Sequence, residues 1–427
     1  MLGTSQQARA QDEIVRSSAM QRWQGGATQV ARWCAVALGF SVITSTALNG
    51  VLMGALLLAW LTSGGWEGKL HRIRDNEVAV AALALMLLAA AGALWSHGAQ
   101  DDVLLFLNKY TKLLLIPILV TVVETADRRR GLIAMAAGLI LSLSLSYGLA
   151  FGWLRPGWPL TGHADNPAAL KNYISHNVFM AYGVLLFSVF AWQARSALAR
   201  CAWACLASLA AVNLFMVAGR SGYVVLAAVV VVALFQIWRW RGLLAAAAMV
   251  AIGFAVAFTA APVFKNRIAL AVAEVRQYDL DADTTTSIGM RLGWYRNSVE
   301  LIRERPLLGA GTGGFPKAYN DRFGQSDGIK TRNPHNQYVL TTAELGIVGL
   351  GALLLFFYYH ARVGARLPEP ESRILARGLL ALMIVGCMFN SFLLDHNEGV
   401  FFCWLTGLLV AGAQTRPVGQ SGAAGPC

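Results

Sequence analysis

Charge is what this sequence has least of. Only 14% of its 427 residues are Asp, Glu, Lys or Arg, against about 25% in a soluble globular protein, and the deficit falls in blocks. Apolar runs of membrane-spanning length recur from about residue 30 to about residue 414, with polar breaks between them. A spanning helix needs roughly 20 apolar residues to cross a hydrocarbon slab about 30 Å thick. The pattern excludes a soluble domain and reads as an all-α polytopic membrane protein. Cysteine is scarce too. The six (Cys34, Cys201, Cys205, Cys387, Cys403 and Cys427) lie in apolar runs or at the extreme C-terminal end, so no structural disulfide is expected in the largest loop, and there is no CxxC zinc pattern. The first stretch, to about Gln29, is polar and leads into a span rather than a small-residue cleavage site, so no cleavable signal peptide is read there. Nor is there a repeat of solenoid period, or a low-complexity tract beyond the Gly-rich tail.

What is present reads as about twelve spans, near residues 30–46, 48–63, 78–96, 102–124, 131–150, 176–194, 200–218, 221–238, 243–261, 335–360, 375–392 and 398–414. The first two, joined at Asn49-Gly50, are the pair most easily miscounted as one. Basic residues mark five short loops: Lys69, His71, Arg72 and Arg74; Arg128, Arg129 and Arg130; Arg195 and Arg200; Arg239 and Arg241; Arg362 and Arg366. With twelve spans all five fall on one side, which the positive-inside rule makes cytoplasmic. The expected organisation is then a cytoplasmic segment 1–29, spans one to nine over 30–261, a periplasmic loop 262–334 with amphipathic helices, spans ten to twelve over 335–414, and a cytoplasmic tail 415–427. A loop as long as 262–334 is uncommon without a function. Within it, Leu292, Tyr295, Val299 and Ile302 recur at helical spacing, which predicts an amphipathic helix ended by Arg305-Pro306 and then Gly309 and Gly311.

Three residues stand where hydrocarbon meets water. In NPHNQYVL (Asn333–Leu340), Asn333 is a good helix N-cap and Pro334 a good first residue, which places His335 in the first turn of the tenth span. The positive end of a helix disfavours imidazolium, so a neutral His335 can accept a proton as a general base must. The bland reading is a histidine satisfied by water at the headgroups. In AGRSGY, Arg220 sits at the outer end of spans seven and eight, where an arginine near hydrocarbon costs about 3 kcal/mol on insertion scales. Snorkelling to outer headgroups is the alternative, but the placement runs against the positive-inside bias. Arg291 follows TTTSIG at the start of the amphipathic helix. Two arginines that pair bidentately with phosphate, plus a neutral histidine, are the parts needed to hold a diphosphate and deprotonate an attacking hydroxyl.

Weaker candidates surround them. Arg155 and Lys171 lie in the first outer loop and can meet the same anion or lipid headgroups. His176 opens the sixth span, where a structural hydrogen bond is the safer reading. Asp395 and Glu398, in LLDHNEG, sit at the outer turn between the last two spans, where they can orient Arg220 or Arg291 or simply keep the turn wet. The acidic DLDAD (Asp279 to Asp283) offers a superficial DxD metal motif, but with no His or Cys nearby it reads as solvated, and no metal or other cofactor is expected.

Taken together, GRSGY at a span end, SIGMRLGWYRNSVELIRERPLLGAGTGGF in the long loop and NPHNQYVLTTAELGIVGL after it resemble the O-antigen ligase superfamily. That group includes lipopolysaccharide O-antigen ligases, O-antigen polymerases and protein O-oligosaccharyltransferases. The resemblance covers about residues 30–414 and implies a GT-C type membrane glycosyltransferase fold. It also implies a metal-independent, inverting transfer of glycan from undecaprenyl diphosphate on the periplasmic face of the bacterial inner membrane. Carried over, Arg220 and Arg291 match the family's essential arginines and His335 its essential histidine. Asn336 and Tyr338, in the same PHN.Y block, fall with Arg155, Lys171, His176 and Asp395 among the expected substrate contacts. One dominant outer loop and a short tail favour a ligase, with lipid A-core as acceptor, over a polymerase or a protein oligosaccharyltransferase.

Two other classes compete. A lipid-linked glycan transporter or flippase would place polar sites near the midplane on broken, repeated helices, whereas these residues gather at one face. A non-catalytic scaffold has no reason to hold cations there. The formal charge of +12 comes mainly from loops read as cytoplasmic and suits anionic membrane lipids and diphosphate rather than nucleic acid.

Overall fold

The computed structural model describes residues 2–276, 286–324 and 330–413, with side chains from residue 18 onward. The acidic stretch Asp279 to Asp283 lies outside the described residues. The helices are α1 (Leu2–Thr44), α2 (Thr46–Thr62), α3 (Trp66–Arg74), α4 (Glu77–Gly92), α5 (Gln100–Tyr110), α6 (Leu115–Val122), α7 (Thr125–Ala150), α8 (Tyr173–Gln193), α9 (Ala197–Met216), α10 (Arg220–Trp238) and α11 (Trp240–Ala260). They continue as α12 (Pro262–Arg276), α13 (Ser287–Glu304), α14 (Phe315–Phe323), α15 (Gln337–Ala365), α16 (Pro370–Gly386) and α17 (His396–Val410). Among the described residues there is no strand, only isolated bridges in the loop after α7.

Short polar residues set where the apolar runs begin. The side-chain oxygens of Ser45, Asn76, Asn172, Ser196, Thr286 and Asn336 each accept from an N–H in the first turn of the helix that follows. These are donors a helix cannot satisfy itself.

Nine of the described helical stretches are long and apolar enough to cross a membrane, or ten if α2 and α3, bent by 116°, form one broken span. All twelve places read from the sequence hold a helix. The three short ones still run the depth of the bundle. At the end that carries residues 262–334, here the loop face, Thr46 of α2 meets Asn397 of α17 (3.3 Å) and Gln337 N donates to Cys387 O just after α16 (2.8 Å). At the opposite face, Trp60 donates to Thr121 (2.8 Å) and Arg128 ties Glu369, before α16, to Ala411, after α17. Arg32, Arg72, Arg128, Arg362 and Arg377 all make their partners at this opposite face or beside it.

α17 is the axis of the fold. Its residues from Glu398 to Val410 are all buried, which suits a helix apolar on every side, and Phe401, Phe402 and Trp404 fill the centre. α1, α6, α7, α8, α15 and α16 pack around it. α11 is the opposite case: Leu244, Ile252, Phe254 and Val256 are exposed, as expected of a helix facing lipid chains. The fourth expected span, 102–124, is interrupted. At Thr111–Leu114 it tightens to a 3-10 turn, and the buried Lys112 finds the carbonyls of Leu394 (3.0 Å) and Asp395 (2.7 Å).

The most consequential irregularity is in α15, where Gly346 has φ 64° and ψ −163° and breaks the helix. Nine residues beyond Gln337, the break lies about 14 Å along the helix axis. Backbone groups freed at such depth need protein partners, and the stretch after α13 supplies them. Ala310 N and Gly311 N donate to the carbonyls of Ala343 (2.9 Å) and Glu344 (2.8 Å), while Ile347 N and Val348 N donate to Pro306 (2.8 Å) and Leu307 (3.4 Å). Glu344 also accepts from Gly313 N (3.1 Å), and Thr312 anchors the loop to α4 through Ala89 O (2.6 Å).

Candidate functional site

His335 is not in a helix. Its φ is 56°, and the helix opens two residues later with Asn336, not Asn333, as N-cap. The expectation of a first-turn histidine is corrected by local chemistry. Asn333 Oδ1 is spent turning the chain, accepting His335 N (2.8 Å) and Ser391 Oγ (2.7 Å), which frees Asn336 Oδ1 to cap Tyr338 N (3.0 Å) and Val339 N (3.2 Å). The imidazole therefore projects from a strained turn, and the helix end is not what sets its basicity. Burial pushes the His335 pKa down, a contact with Asn390 opposes this, and the cation of Arg291 pushes it down further. Neutrality near pH 7 is kept, for a different reason.

Three further contacts fix the residue. Its ring stacks on Trp294, with centroids 5.2 Å apart and planes 28° from parallel. Nδ1 lies 2.8 Å from Asn390 Oδ1. Tyr295 donates its hydroxyl to the His335 carbonyl at 3.2 Å. Asn390 in turn donates Nδ2 to Asp395 Oδ2 at 2.6 Å, and burial with the nearby Glu398 pushes the Asp395 carboxyl up from its ordinary range.

α13 links this centre to the arginines. Arg220, the first residue of α10, grips both oxygens of Glu274 on α12 at 3.3 Å each. The same carboxylate accepts Ile288 N at 3.2 Å in the first turn of α13. Ile288, Arg291 and Tyr295 are spaced three and four apart and so share one side of the helix. The segment from the Arg220 clip to the His335 contact is thus about 10 Å long. Arg291, which sits in the second turn rather than opening the helix, has no ion-pair partner among the described residues. Arg267 on α12 lies close enough to Tyr223 to act on it together with Arg220. Among the described residues Arg220 is matched by Glu274, and Arg291 adds a cation that no described carboxylate pairs, on the face that holds His335.

The other expected residues have these places in the fold. Asp395 orients Asn390, not an arginine; that task falls to Glu274, which the sequence reading missed along with Asn390, Trp294 and Tyr295. Lys171 is buried and donates to Thr46 (2.8 Å) and Asn397 (3.2 Å), so it ties the first loop to α2 and α17, and burial lowers its pKa to about 8. Glu398 is buried in the same corner, beside Ser175, Lys112 and Lys171. His176 bonds Asn213 through Nε2 (2.8 Å), a structural link, and Asn177 next to it caps three carbonyls of the α9–α10 turn. Tyr338 donates to Ile384 O (2.9 Å), Asn336 Nδ2 to Met388 O (3.2 Å), and Arg155 is exposed in its loop. The predicted stripe of α13 turns out differently: Leu292 and Val299 are exposed, while Trp294, Leu301 and Ile302 meet the core. Among the described residues no three His, Cys, Asp or Glu side chains converge as a metal site would need.

Fold and site together define a polytopic helical membrane protein with a cationic, histidine-bearing centre at one face. Over residues 204–354 the chain is similar in sequence to the family described as O-antigen ligase. The matched stretch contains Arg220, Glu274, Arg291 and His335 and stops short of Asn390 and Asp395. An uncharacterized protein of Haemophilus influenzae is 26% identical over 166 residues, 36% of this chain and 41% of that protein. The similarity thus spans less than half of that relative's length.

Proposed function

We propose that the protein is an O-antigen ligase of GT-C type, moving a glycan from undecaprenyl diphosphate to lipid A-core on the periplasmic face of the bacterial inner membrane. In that orientation it has twelve spans and both termini cytoplasmic. The observation that carries the reading is the sharing of α13: its first turn is clipped to Arg220, its second presents Arg291, and its third holds His335 by stacking and hydrogen bonding.

In the reaction, His335 takes the proton of the acceptor hydroxyl as its oxygen bonds to the anomeric carbon. The bond from that carbon to the diphosphate breaks on the opposite side, inverting the centre, and undecaprenyl diphosphate departs with the electron pair. Arg291, with Arg220 held through Glu274 near the start of the same helix, stabilises the charge that builds on the leaving oxygens, a role that preorganised cations fill well in a site shielded from water. A general base of this kind contributes about 10²–10⁴ in rate.

The test is reconstitution in liposomes with lipid-linked glycan and lipid A-core. Wild-type protein is expected to form glycan-bearing lipid A-core, and His335→Ala to lose it by at least about 100-fold while donor accumulates. Lipid-linked glycan crossing the bilayer unchanged in both proteins, with no transfer, would establish a transporter instead. Transfer only onto a second lipid-linked glycan, or only onto a polypeptide, would replace lipid A-core as acceptor.

A further inference from the structure

We propose that Asn390 and Asp395 are positioning residues that lock His335 in the tautomer carrying its proton on Nδ1, leaving Nε2 as the proton acceptor. The role rests on the proposed transfer reaction, but the tautomer itself follows from the hydrogen-bond order with Asp395 in its ionised form. An ionised carboxylate only accepts, so Asp395 Oδ2, 2.6 Å away, must face the amide nitrogen of Asn390. That orientation points Asn390 Oδ1, which has no hydrogen, at His335 Nδ1 at 2.8 Å. The contact is a bond only if Nδ1 carries the proton, and a neutral imidazole has just one.

The rest of the site removes the ring's other options. Trp294 fixes the ring plane, Asn333 holds the His335 N–H and Tyr295 its carbonyl. Asn390 itself is tethered, since the turn after it is closed by Leu394 N and Asp395 N donating to Ser391 O at 2.8 Å each. The charged and titratable groups bearing on His335 are Arg291 and Tyr295 from α13 and, through Asn390, Asp395. Those bearing on Asp395 are Glu398 on α17 and Lys109 and Lys112 on the α5–α6 segment; burial and Glu398 raise its pKa, and the two lysines and the Asn390 amide oppose them in favour of the ionised carboxylate. Placing an amide between imidazole and carboxylate has a distinct effect. A carboxylate in direct contact would pull the imidazole toward its charged form, whereas the amide passes on orientation without the charge.

Two measurements on the full-length protein in bilayers test this. In the first, nitrogen NMR of histidine-labelled protein, with His335 assigned by difference against His335→Gln, is expected to show a protonated Nδ1 and a bare Nε2. A protonated Nε2 in the neutral ring overturns the proposal whatever the activity. In the second, Asp395→Asn frees the Asn390 amide to turn its nitrogen toward His335, and turnover is expected to fall about 100-fold with KM for lipid-linked glycan within about twofold. The exchanged pair, Asn390→Asp with Asp395→Asn, restores an acceptor facing His335 and a donor behind it. It is expected to recover turnover to within about tenfold of wild type, with the acid limb of the pH profile moved upward by the adjacent carboxylate. An exchanged pair no better than Asp395→Asn, or without that shift, would mean the two residues only support the fold, and the proposal would be wrong. Full activity of His335→Gln would instead remove the transfer reading and leave the NMR result to stand by itself.

Discussion

Arg220 and Glu274 meet through both arms of the guanidinium at 3.3 Å, and the carboxylate reaches on to the Ile288 N–H. One acidic residue therefore joins the start of α10, the end of α12 and the start of α13. Glu274 is 7% exposed and Arg220 27%. Breaking a fully buried pair costs about 3–5 kcal/mol, and solvent at Arg220 reduces this to about 1–2 kcal/mol. Glu274→Gln should therefore speed hydrogen exchange at the Ile288 amide by about tenfold, since each 1.4 kcal/mol or so is a factor of ten. Unchanged exchange there would show that the pair does not hold α13.

The pH response of His335 follows from its surroundings. Burial first, and then Arg291, lowers its pKa from the ordinary 6.5. The competent base is the neutral form, so the acid limb of kcat/KM is expected below 6.5. Arg291→Gln removes one lowering influence, and the NMR titration midpoint of His335 should rise. A midpoint that stays or falls would contradict the Coulombic link. The same depression means that the unfolded chain binds the proton more tightly, so this residue's contribution to stability is lost as pH drops through and below 6.5.

Lys171 gives a second pH test, at the alkaline end. Its folded pKa is about 8, against 10.5 when unperturbed. Between those values the unfolded chain holds the proton and the folded one sheds it, so stability from this group rises with pH across that window. The unfolding midpoint of wild type should climb relative to that of Lys171→Met between pH 8 and 10.5. A constant difference would show that the amine stays charged when folded.

Gly346→Ala should be among the most damaging conservative changes. A Cβ there meets the Leu307 carbonyl, and φ at this residue is 64°. Strain of this kind added to a broken backbone ladder is expected to cost about 3 kcal/mol or more, read as loss of detergent-stable, monodisperse protein. Normal yield and melting temperature would show that the interlock with Leu307 is dispensable.

Much of this was legible from the residues alone. Each of the twelve apolar runs holds helix, nine or ten of the described stretches being long and apolar enough to cross a membrane, and the α13 prediction held to within a few residues because Thr286 caps it and Arg305-Pro306 ends it. Arg220, Arg291 and His335 were legible as polar residues out of place. Partners were not. Glu274 is a lone acid in LAVAEVRQ and Asn390 a lone amide in CMFNSFLLD, and nothing in either run says which distant side chain it faces. The N-cap of α15 was misplaced by three residues because Asn333 and Asn336 are chemically equal caps; only Ser391, far along the chain, takes Asn333 out of that competition.

The break at Gly346 sets a rule for exchanging parts between relatives. The stretch from Pro306 to Gly313 completes the hydrogen bonding of a helix that lies on the other side of His335 in the chain. Neither partner keeps its backbone satisfied if the other is altered, so a chimaera that splits them should misassemble, whereas one that carries residues 305–349 as a single cassette keeps the splice whole.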